Sequence, residues 1–84
     1  MTEVYITFRS LTRAQLAAET LARSGIDAHI LRAPEPISRQ GCGYALLVYR
    51  THLSAAVYTL RQSGTGFERV FSRGGSRRFQ EIRI

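Results

Sequence analysis

Apolar and polar residues alternate from Val4 to Phe8, with Val4, Ile6 and Phe8 on one side and Tyr5 and Thr7 on the other. A period of two in a β-branched and aromatic run predicts a strand with one face in a core. The period then lengthens. After Ser10, a residue suited to cap a helix, Leu11, Ala14, Ala17, Ala18 and Leu21 recur at helical spacing until Ser24-Gly25 stops the run. Ile26 to Arg32 reads as a second strand, and Ala33 to Gly41, with two prolines and a glycine, as a loop. Tyr44 to Tyr49 predicts a third strand. Thr51 can cap a second helix whose buried face is Leu53, Ala56, Val57 and Leu60, ending at Ser63-Gly64, and Phe67 to Ser72 predicts a fourth strand.

The order is βαββαβ, and Phe8-Arg9-Ser10 before one helix is echoed by Tyr49-Arg50-Thr51 before the other. This is the plan of an α+β, ferredoxin-like two-layer sandwich. Residues 1–72 form one such domain, and 73–84 a basic C-terminal extension whose glycine turn can lead into an extra C-terminal strand. The third strand is apolar on both sides, as Tyr44, Leu46 and Val48 alternate with Ala45, Leu47 and Tyr49. Helices cover only one face of a two-layer fold. The other face calls for a second copy of the chain, as a homodimer, or for the C-terminal segment with Phe79, Ile82 and Ile84.

At 84 residues the chain makes one small domain with a core near the lower limit for independent folding. No apolar stretch approaches the roughly 20 residues that span a bilayer, and the N-terminus lacks the layout of a signal peptide. A cytoplasmic protein without a membrane partner is expected. One cysteine, Cys42, allows no intramolecular disulfide, which fits a reducing compartment. Twelve arginines and no lysine stand against six acids, for a formal charge of +6. That balance favours anionic partners, whether nucleic acid, an acidic protein surface or an anionic ligand.

Candidate chemistry narrows to Cys42. His29 lies in a strand and His52 opens the second helix, so a Cys-His pair for acyl transfer is not expected. One cysteine and two scattered histidines have no metal-ligand spacing, and neither glycine run matches a phosphate-binding fingerprint, so neither a metal nor a cofactor is expected. A free cysteine is ordinarily a small buried hydrophobe. Here Gly41 and Gly43 strip side-chain cover from both sides and permit backbone conformations closed to other residues. In the ferredoxin-like plan the third strand lies antiparallel between the first two, so Cys42 is expected beside Arg9 and Ser10, at the start of the first helix. Helix N-termini and nearby arginines, here Arg9, Arg13 and Arg39, are recognised ways to favour a thiolate.

Three readings follow. A thiolate without a resolving cysteine suits a carrier that takes up and releases sulfur by thiol exchange, with no turnover chemistry of its own. A redox-sensing interaction module would use the same thiol. The third is a single-stranded RNA-binding module, because sheets of this plan stack bases on aromatic residues of the first and third strands. Val4-Tyr5-Ile6 suits that use and the basic tail would add salt-sensitive affinity, but Gln40, Cys42 and Leu47 replace a cation and two rings of the third-strand signature.

Phe8-Arg9-Ser10, Ala18-Glu19 with Leu21, Gly25-Ile26, the proline loop Pro34-Glu35-Pro36-Ile37-Ser38 and above all Cys42-Gly43 entering the third strand resemble a family of small bacterial proteins described as selenium/sulfur carrier-like. The resemblance runs from about Tyr5 to Phe71. It implies a cytoplasmic protein holding sulfur or selenium on Cys42 as a persulfide-type adduct, with donor and acceptor proteins as partners. Cys42 and Gly43 match the family's pattern and Ser38 matches its loop. Arg9, Ser10 and Arg39 come from topology and electrostatics, and the arginine-rich tail departs from the pattern.

Overall fold

The structure, a computed structural model, describes residues 3–39, 43–73 and 78–84. Among the described residues, nine elements of regular structure follow one another. Strand β1 (Glu3–Phe8) leads into helix α1 (Leu11–Arg23), then β2 (His29–Arg32), a single helical turn α2 (Glu35–Ser38) and β3 (Tyr44–Tyr49). A 3₁₀ turn (Arg50–His52) opens α3 (Leu53–Gln62), and β4 (Val70–Arg73) and β5 (Phe79–Ile82) complete the chain. The strands lie in the order β2-β3-β1-β4-β5, every neighbouring pair antiparallel. This is the ferredoxin-like α+β plan, with the C-terminal segment supplying the extra edge strand.

Local chemistry bounds the two longer helices, α1 and α3. Ser10 has extended backbone (φ −138°, ψ 157°), and its side chain accepts from the Arg13 N–H at 3.2 Å, which makes it the N-cap of α1. Both helices end in the same way. Gly25 (φ 77°) donates to the Ala22 carbonyl and Ile26 to Leu21, while Gly64 (φ 74°) donates to Arg61 and Thr65 to Leu60. This paired-bond ending needs a left-handed residue, a conformation natural to glycine.

Two clusters hold the layers together. Val4, Ile6 and Phe8 of β1 and Leu46 and Val48 of β3 pack against Ala14, Ala17 and Leu21 of α1 and Ala56 and Leu60 of α3. On the opposite face Tyr5, Ala45 and Phe71 meet Ala33 and Ile37, with Phe79 packed against them. Ile37 is fully buried there, worth about 1.5–3 kcal/mol in apolar area alone. Tyr5 and Phe79 form an edge-to-face pair with ring centroids 5.3 Å apart. Of the covers the sequence allowed for this face, the C-terminal segment supplies one through β5, and α2 adds another within the chain. Ile82 joins the helix-side cluster instead, and Ile84 is exposed.

Four boundaries differ from the sequence reading, each for a local reason. β2 begins at His29 rather than Ile26, because the Ile26 N–H is committed to closing α1. The proline loop contains α2, since a proline in the first helical turn has no N–H to leave unsatisfied and Ile37 gains burial from the turn. Thr51 does not cap α3, which grows out of the 3₁₀ turn without a side-chain cap. β4 starts at Val70 rather than Phe67, because Glu68 and Arg69 together oppose Thr7. The Thr7 N–H donates to the Arg69 carbonyl at 2.8 Å, the Glu68 N–H to the Thr7 carbonyl at 2.8 Å, and the Arg69 N–H to Thr7 Oγ1 at 3.0 Å. Two residues opposite one make a bulge.

Candidate functional site

β1 and β3 are in register from Glu3 opposite Tyr49 to Phe8 opposite Tyr44. Arg9 and Ser10 therefore leave the sheet at the same end at which Gly43 enters it, as the antiparallel plan requires. Gly41 and Cys42, with Gln40, lie outside the described residues, so the site is known by the frame around them. On one side Ala33 donates to the Gly43 carbonyl at 3.1 Å, extending the β2–β3 ladder by a rung. On the other, Arg39 closes α2 with its N–H on the Glu35 carbonyl at 3.1 Å and its guanidinium on Glu35 Oε1 at 2.6 Å. Ser38 Oγ donates to the Glu35 carbonyl, a bond within the turn.

Gly43 supplies clearance but no unusual backbone. A Cβ placed on it would meet nothing within 4 Å, and its φ lies outside the left-handed region. The conformational half of the glycine argument therefore does not apply at this residue. Arg9 carries the charge expected beside the helix start, yet its Nε is 3.2 Å from Glu68 Oε1, so a carboxylate shares its field. Neither Glu68 nor Glu35 was singled out as a partner from the sequence. The Glu35-Arg39 spacing of four residues was the available signal once a helical turn is allowed there. Ser10 serves α1 as its cap, leaving the N–H groups of Leu11 and Thr12 among the first-turn donors that have no acceptor inside the helix.

The histidines lie apart from this frame. His29 sits opposite Leu47, four residues along β3 from Gly43 and so about 13 Å away. His52 packs edge-on against Tyr49 beyond the other end of β3. No group of three histidine, cysteine, aspartate or glutamate side chains placed to hold a metal occurs among the described residues.

The arrangement also bears on base stacking. Tyr5, the ring that the first strand would offer to RNA, is 5% exposed beneath Phe79 and α2. Tyr44 packs on the opposite, helix-covered side of the sheet. Neither ring is presented as an open platform.

No helix among the described residues is long and apolar enough to cross a membrane. No curated protein and no solved structure matches the chain. A family model does: the one described as "Putative Se/S carrier protein-like" matches residues 3–72, from the first residue of β1 into β4 and across the Cys42-Gly43 pair, and the chain belongs to that family.

Proposed function

We propose that the protein is a sulfur or selenium carrier of the cytoplasm that holds its cargo on Cys42 and passes it from a donor protein to an acceptor protein. The observation that supports this most directly is the family match over residues 3–72, which encloses the chain's single cysteine. In the loading step the Cys42 thiolate attacks the outer sulfur of a donor persulfide. A sulfur–sulfur bond forms to Cys42, the donor's own sulfur–sulfur bond breaks, and the donor leaves as a thiolate. Release is the same exchange with an acceptor thiolate as nucleophile, so no external oxidant or reductant is consumed. With no second cysteine in the chain, the loaded persulfide cannot collapse into an internal disulfide.

The test is persulfide loading of the reduced protein from a small-molecule persulfide donor, read by intact mass as one added sulfur atom. The native chain should gain it and Cys42→Ser should not, with circular dichroism unchanged. Equal uptake by the variant would remove the proposal. The pH dependence of alkylation supplies a second reading. Reaction well below the ordinary thiol range of roughly 8.5 is the expected outcome for a thiolate near arginines and a helix start. A thiol inert until the chain unfolds would make Cys42 a packing residue.

A further inference from the structure

The ends of the sheet differ in charge. At the end where Arg39 and Gly43 bracket residues 40–42, the elements also place Arg9 after β1, Arg13 in the first turn of α1, Arg32 closing β2, Arg61 near the end of α3 and Arg83 after β5. Arg9 and Arg39 are matched by Glu68 and Glu35. Arg13, Arg32 and Arg83 form no ion pair among the described residues, and all three are exposed. The opposite end gathers Glu3, Asp27 and His29 around a cavity of about 130 Å³, beside Arg23, Arg50 and Arg73. A cavity of about 490 Å³ opens at the arginine end between Leu60, the 64–68 turn and Ile84. Its apolar wall includes Phe67, which the Arg61 guanidinium overlies at 6.0 Å, and Ile84, half exposed at 52%.

We propose that this arginine-bearing end is a docking surface for an acidic protein partner, one that meets Arg13 and Arg32 with carboxylates and seats an apolar side chain in the cavity beside Ile84. It deepens the carrier reading, on which it rests for its purpose, by naming the chemistry of the donor or acceptor face. Charge complementarity argues for an acidic partner, because among the described residues Arg9, Arg13, Arg32, Arg39, Arg61, Arg69 and Arg83 outnumber Glu35, Glu68 and Glu81 at this end, whereas Arg23, Arg50 and Arg73 at the opposite end stand nearer balance with Glu3 and Asp27. The cavity argues for protein rather than nucleic acid, since protein interfaces anchor on apolar side chains in pockets. Base stacking on the sheet face would need an open ring on β1, and Tyr5 is buried there.

Two synthetic peptides and one RNA serve as probes: ten glutamates around a central leucine, the same peptide with glycine at the centre, and twelve-nucleotide poly(U). Binding is followed by fluorescence anisotropy at two salt concentrations. The leucine peptide should bind tightest and weaken with salt. Arg13→Glu with Arg32→Glu should weaken it about tenfold, whereas Arg23→Glu with Arg50→Glu, at the other end, should change it by less than about twofold. Gly66→Leu, at a position where a Cβ meets nothing within 4 Å, should erase the advantage of leucine over glycine without unfolding the chain. Equal losses from the two reversal pairs, no leucine advantage, or tighter binding of poly(U) would each overturn the proposal. Cys42→Ser should bind the peptide as the native chain does. Docking intact with no persulfide loading would therefore sink the carrier reading alone.

Discussion

Thr7 shows how one side chain can shape the frame of a site. Its alternation in β1 marks it as a face residue, and nothing in that pattern foretells that its hydroxyl both donates to the Arg69 carbonyl and accepts the Arg69 N–H. Those bonds hold the bulge that brings Glu68 to Arg9. Thr7→Val keeps the shape and removes both bonds, so we expect a loss of about 1–3 kcal/mol in urea denaturation. A loss under about 0.5 kcal/mol would mean the bulge finds another acceptor. Ser10 and Gly25 are the contrasting case. Both their identities and their roles were legible, because an N-cap and a helix-ending glycine act through backbone groups within a few residues.

Among the elements, those whose period is set by a large core are recovered from sequence: β1, α1, β3 and the buried face of α3 all fall where the pattern puts them. The element that was missed, α2, is too short to show a period. Its cause is tertiary, the burial of Ile37 against Ala33, Ala45 and Tyr5 on the face opposite the helices. The C-terminal strand was legible as an option, and the structure shows which of its apolar residues acts: Phe79 covers that face, while Ile82 turns the other way. Ile37→Ala is expected to destabilise by about 2–5 kcal/mol in chemical denaturation. Because Ile37 anchors the turn before residues 40–42, the same variant should expose amides of 33–39 to hydrogen exchange before those of α1 and α3. Uniform exchange across the chain would instead make α2 part of a single cooperative unit.

For the molecule as a whole, the ferredoxin-like plan followed from two repeated strand-helix units, and the pairing of β3 between β1 and β2 came with it. The position of charge along the sheet did not, since it depends on which ends of several elements coincide. One local feature also has a kinetic consequence. Arg39 and Gly43 are both tied into the fold, and the four peptide links between them allow at most about 15 Å of contour. In the carrier reading, cargo on Cys42 stays within that reach of its two anchors, and donor and acceptor visit the same place in turn. They become competitors. At fixed donor, the rate of transfer should rise with acceptor concentration, pass through a maximum and then fall as free acceptor blocks reloading. A rate that climbs to a plateau and stays there would mean that free acceptor does not block reloading.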